Sequence, residues 1–143
     1  MSETVELNVE VKSPIERVWT ALTDPATLSK WMMFKTNDFA PVVGHTFQFR
    51  DAPGWDGVVD CTVIEVDEPR RLSYSWLSGG EGSSPHETVV TWTLTEGDGV
   101  TRLHLEQSGF RSEAKQEIGG AQYGWTMMLD QLQGILAAAE STS

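Results

Sequence analysis

From about residue 45 to 108, apolar side chains recur at nearly every second position; from about residue 121 to 139 they recur at every third or fourth. A period of two describes strands with one buried face, and a period near 3.6 describes a helix with one apolar stripe. Phe47 and Phe49 alternate with Gln48 and Arg50, and Leu72, Tyr74 and Trp76 with Ser73 and Ser75. Val90, Trp92 and Leu94 alternate with Thr91 and Thr93, and Leu103, Leu105 and Gln107 with His104 and Glu106. Between Val58 and Val66 the inner face is contested: Val58, Ile64 and Val66 have one parity, Val59, Cys61 and Val63 the other. A bulge would reconcile the two sets. Glu68-Pro69 and Glu96-Gly97-Asp98-Gly99 read as turns, and the Gly/Ser-rich stretch from Ser78 to Pro85 as a loop. Successive strands joined by such short turns predict an antiparallel meander.

The flanks complete the pattern. Val5, Leu7, Val9 and Val11 alternate with polar residues as a further strand. Ser13-Pro14-Ile15-Glu16 then reads as a capping box with Pro at the first helical position. Ile15, Val18, Trp19 and Leu22 form its apolar stripe, with Trp19 expected in the core. Asp24-Pro25 opens a second short helix carrying Leu28 and Trp31. At the other end Trp125, Met128, Leu129, Leu132, Ile135, Leu136 and Ala139 share one side of a helix predicted from about Ala121 to Ala139, about 28 Å long. Only this helix is long and apolar enough to cover the aromatic face of the sheet. The expected fold is α+β: a curved antiparallel sheet around a long C-terminal helix, with two short helices after the first strand. A twisted sheet closing on one helix leaves a wedge suited to a small molecule.

At 143 residues the chain is expected to form a single domain, 1–143. Ten Lys and Arg against 21 Asp and Glu give a net charge of −11, which disfavours nucleic acid and anionic membranes as partners. No apolar run is long enough for membrane insertion, and the opening Met-Ser-Glu-Thr-Val-Glu has no secretory pattern. The lone Cys61 excludes an internal disulfide, so a cytoplasmic protein is expected.

Ser13 to Pro25, with Trp31 after it, resembles the opening of START-like (SRPBCC, or Bet v 1-like) domains. The branch is the one similar to the C-terminal domain of the activator of heat-shock protein 90 ATPase. Val66 to Trp76, Val90 to Leu94, Thr101 to Leu105, Ser108-Gly109-Phe110 and Gly124-Trp125 match in the same order, so the resemblance spans nearly the whole chain. It implies a helix-grip fold with a cavity between sheet and helix, and binding of lipids, sterols, polyketides or other apolar molecules. Some relatives are polyketide cyclases or dehydratases. The eukaryotic activator has a further N-terminal domain without counterpart in these 143 residues, and many relatives carry His where Gln107 stands.

The residues support three functions in descending order: non-covalent binding of a small apolar or amphipathic molecule, a cyclase- or dehydratase-like activity in the same cavity, and a chaperone-activator-like interaction module. Trp31, Phe34, Phe47 and Phe49 are expected to line the site, with Tyr74, Trp76 and Trp92 beside them. Leu105, Gln107, Trp125, Met128 and Leu129 complete it. Each aromatic ring alone could simply fill core; as a group they are expected to form a pocket, because one helix seldom fills a whole sheet's concavity. Tyr74 and Gln107 are inward polar groups that a ligand, a water or the backbone could satisfy. Met32, Met33, Met127 and Met128 could adapt to varied ligands or fill gaps. Asp51, Asp56 and Asp60 around Trp55 form an acidic rim or a solvated loop. His45, His86 and His104 show no metal-binding spacing, Cys61 no activator, and Gly79, Gly80 and Gly82 no phosphate-loop context. No cofactor, metal or catalytic residue is expected. A monomer or homodimer is expected, with a small apolar molecule and a chaperone-like protein as candidate partners.

Overall fold

In the structure, a computed structural model describing residues 2–32, 34–51, 58–79, 86–111 and 115–141, the alternating segments join in one seven-stranded sheet. Strand β1 (Ser2–Val11) precedes helices α1 (Ile15–Thr23) and α2 (Pro25–Trp31). Strands β2 (Thr36–Asn37), β3 (Thr46–Arg50), β4 (Val58–Asp67), β5 (Arg71–Gly79), β6 (His86–Gly97) and β7 (Val100–Arg111) follow, then helix α3 (Lys115–Ser141). The spatial order is β1-β7-β6-β5-β4-β3-β2, and every neighbouring pair is antiparallel. The meander is therefore as predicted, and β1 closes it by pairing with the last strand along its whole length.

Local chemistry explains most of the details. The β6–β7 hairpin turns on Asp98 and Gly99, both with positive φ (55° and 78°), which is the two-residue turn that matches strand twist. In β4 the register shifts between Val63 and Glu65. Val59, Cys61 and Val63 are buried, Ile64 is exposed, and Val66 returns to the core beyond the bulge. Both competing parities are thus accommodated. Strand β2, too short to show any periodicity, pairs Thr36 with Arg50 and Asn37 with Phe49.

Two expectations about helices need correction. Ser13 does not cap α1: Pro14 occupies the cap position, the buried Ser13 hydroxyl has no hydrogen-bond partner, and the first helical N–H, of Ile15, donates instead to Glu96 Oε2 at 3.4 Å. Its neighbourhood is instead held by the Ser13 carbonyl, which accepts from Thr101 Oγ1 at 2.7 Å. Helix α3 begins at Lys115, six residues before the predicted Ala121, and its 27 residues extend about 40 Å. Gly119 and Gly120 obscured that start, because two adjacent poor helix formers mimic a loop. The second cap is as predicted: Asp24 Oδ2 accepts from Thr27 N at 3.1 Å and from Thr27 Oγ1 at 2.7 Å.

The inner sheet face, α1, α2 and α3 enclose one hydrophobic core. Val18, Trp19 and Leu22 of α1 belong to the same core as Leu132 and Leu136 of α3. The arrangement is the helix-grip fold expected from the sequence.

Candidate functional site

Strand alternation places Phe47 and Phe49 of β3, Tyr74 and Trp76 of β5, Trp92 of β6, and Leu105 and Gln107 of β7 on the inner face. Helix α3 brings Trp125, Met128 and Leu129 down onto that face, and α2 with the segment after it adds Trp31 and Phe34. All the site residues expected from the sequence therefore lie in one core. Their rings form a continuous wall. Phe47 meets Phe49 at 5.3 Å and Tyr74 at 5.5 Å, both edge-on. Phe49 leads to Trp76 at 5.6 Å, Trp76 to Trp125 at 5.2 Å, and Trp125 to Trp92 at 5.5 Å. Trp31 stands edge-on to Trp92 at 5.9 Å, and Phe34 lies 5.4 Å from Phe49. Offset and edge-on pairs of this kind each add about 0.5–1.5 kcal/mol beyond area burial.

The polar atoms within the wall are organised as donors and acceptors. Trp125 Nε1 donates to Gln107 Oε1 at 2.7 Å, Gln107 Nε2 donates to Thr88 Oγ1 at 2.8 Å, and Thr88 Oγ1 donates to the Trp76 carbonyl at 3.3 Å. This relay connects α3 to three successive strands. It also answers the question left open for Gln107: its amide serves Trp125 and Thr88. Trp31 Nε1 donates to the Ala21 carbonyl at 2.8 Å, and Trp92 Nε1 donates to the Tyr74 hydroxyl at 3.0 Å. Two donors stay uncommitted among the described residues: the proton of the Tyr74 hydroxyl and the indole N–H of Trp76. Trp76 is also the only partly exposed ring of the wall; the others are buried.

Two titratable groups lie inside. Burial pushes the Tyr74 phenol well above its ordinary value, against the opposing hydrogen bond from Trp92. Burial also raises the Cys61 thiol, with the Asp60 carboxylate adding to the shift. Both stay protonated at neutral pH, so Cys61 is inert as a nucleophile and Tyr74, which accepts from Trp92, keeps its own hydroxyl proton. The described residues include no buried carboxylate, imidazole or ammonium group. The chemistry this arrangement offers is that of hydrogen bonding and ring contact.

Two contributors escaped the periodicity argument. Phe39, in the irregular segment after β2, meets Phe47 at 4.9 Å and Tyr74 at 6.1 Å. Thr88 shares the inward parity of Val90 and Trp92, and that parity would have found it. Met32 is buried, whereas Met127 is exposed on the outer side of α3, away from the wall that Met128 joins. Met33, Trp55, Asp56, Gly80 and Gly82 lie outside the described residues. Asp60 accepts from Gln48 Nε2 at 2.6 Å on the outer surface. A separate concavity of about 470 Å³ lies on the flank of the core, between Val11, Lys12 and Ser13 on one side and Gln133, Leu136 and Ala137 of α3 on the other. No helix among the described residues is long and apolar enough to cross a membrane.

Comparison with known proteins fits this geometry. The family described as Activator of Hsp90 ATPase homolog 1-like protein matches residues 12–137. The chain belongs to that family. No curated protein matches it in sequence. Among solved structures, this Activator of Hsp90 ATPase homolog 1-like chain is similar to protein MLL2253 from Mesorhizobium loti. The two share 37% identity with a TM-score of 0.87 over 95% of this chain and 98% of that one. It is also similar to DynU16, a protein in the dynemicin biosynthetic locus, at 26% identity and a TM-score of 0.81; 95% of this chain matches 48% of DynU16. CalU16 from Micromonospora echinospora shares 26% identity and a TM-score of 0.73 over 99% of this chain and 80% of that one.

Proposed function

We propose that the chain binds a small apolar or amphipathic molecule between the sheet and α3, as a carrier or a sensor. The observation that carries this reading is the aromatic wall and its one half-buried ring, Trp76, which keeps an uncommitted N–H. Tyr74, two residues along the same strand face, offers a second donor from a dry environment. An apolar body stacked on Trp76, with a carbonyl or hydroxyl oxygen accepting from these donors, would use both features. The likeness to DynU16 supports the reading, since it associates this architecture with a biosynthetic locus.

Native mass spectrometry of freshly purified protein tests the proposal, followed by Trp-fluorescence titration with oleate, cholesterol and the flavonoid naringenin. Saturable quenching with a blue shift is the expected response to at least one of them. Trp76→Ala should weaken that binding at least about tenfold, while the protein stays folded because the ring is only partly buried. Tyr74→Phe should weaken only ligands that carry an acceptor. No co-purifying species and no response across the panel would sink the proposal. Attention would then move to the exposed Tyr123 and Met127 on α3, the surface an interaction module would use.

A further inference from the structure

The outer face of the sheet carries a constellation that the interior does not use. Glu6 of β1 stands directly opposite Glu106 of β7, and Asn8 stands opposite His104. With the helices on the inner face, these four side chains form a square on the uncovered side. Two carboxylates directly opposed across neighbouring strands repel each other and weaken the pairing. His104 completes the group. Its Nδ1 lies 2.7 Å from Asn8 Oδ1, and its Nε2 lies 3.7 Å from Glu6 Oε1. An amide oxygen can only accept, so Nδ1 carries a proton. In the neutral imidazole, Nε2 then presents a lone pair toward the Glu6 carboxylate, an arrangement that a cation between them would satisfy.

The distances suit one. Ligand atoms from Glu6, His104 and Glu106 all lie within 4.8 Å of one another. Zinc bonds of about 2.0–2.2 Å put tetrahedral ligands about 3.4 Å apart, so half-exposed carboxylates need only small rotations to converge. The donor set decides the class of ion. One imidazole and two carboxylates suit a divalent transition metal, whereas calcium and magnesium prefer oxygen ligands alone. The bond from Nδ1–H to Asn8 is of the kind that fixes the tautomer and orientation of metal-bound histidines. We propose that Glu6, His104 and Glu106 form a binding site for a divalent transition-metal ion on the outer face of β1 and β7, with Asn8 orienting the imidazole. Three protein ligands leave a fourth position for water or an added ligand. The ion joins the edge strand β1 to β7 and removes the repulsion between Glu6 and Glu106. The site is independent of the interior and stands whether or not the cavity binds a ligand.

The geometry without metal would be a protonated His104 paired with Glu6, and the experiment must separate the two. Untagged, chelator-treated protein is titrated with zinc chloride by calorimetry, while the side-chain nitrogens of the histidines are followed by NMR. The expected result is one zinc per chain, a shift at Nε2 of His104, and a Tm higher by several degrees in saturating zinc. His104→Gln and Glu106→Gln, both at surface positions that leave the core intact, should each weaken zinc binding at least tenfold. Calcium chloride at the same concentration should change neither Tm nor the imidazole signals. Absence of saturable binding, binding that survives His104→Gln, or a shift at a different histidine would each overturn the proposal.

Discussion

Gln107 shows how one side chain can position a helix. Its carboxamide accepts from Trp125 on α3 and donates to Thr88 on β6, so both ends of the group are engaged in a buried setting. Gln107→Leu keeps the volume but leaves the Trp125 N–H with no acceptor and removes the donor to Thr88. An unmet buried donor costs about 1–3 kcal/mol, and urea unfolding should register a loss of that size. A change under about 0.5 kcal/mol would mean that water enters and replaces the amide. The alternation of β7 already placed Gln107 on the inner face. Its partners depend on where α3 presents Trp125, and no spacing within one strand reveals that. The same holds for Glu6, Asn8, His104 and Glu106: their outward parity is legible, but Asn8 and His104 come together across 96 positions of sequence.

At the level of elements, the clearest contrast lies between the starts of α1 and α2. Asp24 caps α2 through Thr27, while the Ser13 hydroxyl, in the more conventional capping sequence, bonds to nothing. Asp24→Ala should therefore cost about 1 kcal/mol and lower Tm by about 4 °C. Ser13→Ala should leave Tm unchanged or raise it, since it removes a buried hydroxyl with no partner. Equal losses in the two variants would restore Ser13 as a cap. The strands were legible because alternation is a local signal, read residue by residue against a single inner face. The start of α3 was hidden by Gly119 and Gly120, and β2 by its two-residue length. In β4 the bulge made both parities true in turn, so the sequence presented a real ambiguity with a structural cause. Inward parity found nearly the whole aromatic wall and missed Phe39, which sits where the backbone has no period.

Across the whole molecule, wrapping a curved sheet around α3 leaves two ionisable groups with no route to charge. Cys61 on β4 and Tyr74 on β5 are both held neutral by burial in the same core, well above their ordinary values of 9.0 and 10.0. Above pH 9.0 the unfolded chain loses the thiol proton while the folded chain retains it. The unfolded state then binds fewer protons, so stability falls as pH rises, by about 1.4 kcal/mol per unit. Above pH 10.0 Tyr74 adds a second slope of similar size. Both contributions are complete below those ordinary values and are lost as pH climbs toward the raised native ones. Urea midpoints measured from pH 7 to 11 should stay level from these two groups, then bend down near 9 and steepen near 10. Cys61→Ala should remove the first bend and Tyr74→Phe the second, each leaving the other in place. A profile that stays flat to pH 11 would mean that both groups ionise in the folded protein as they do in water. The aromatic wall would then be open to solvent along its length, and binding by Trp76 and Tyr74 would lose the dry surroundings that make their donors strong.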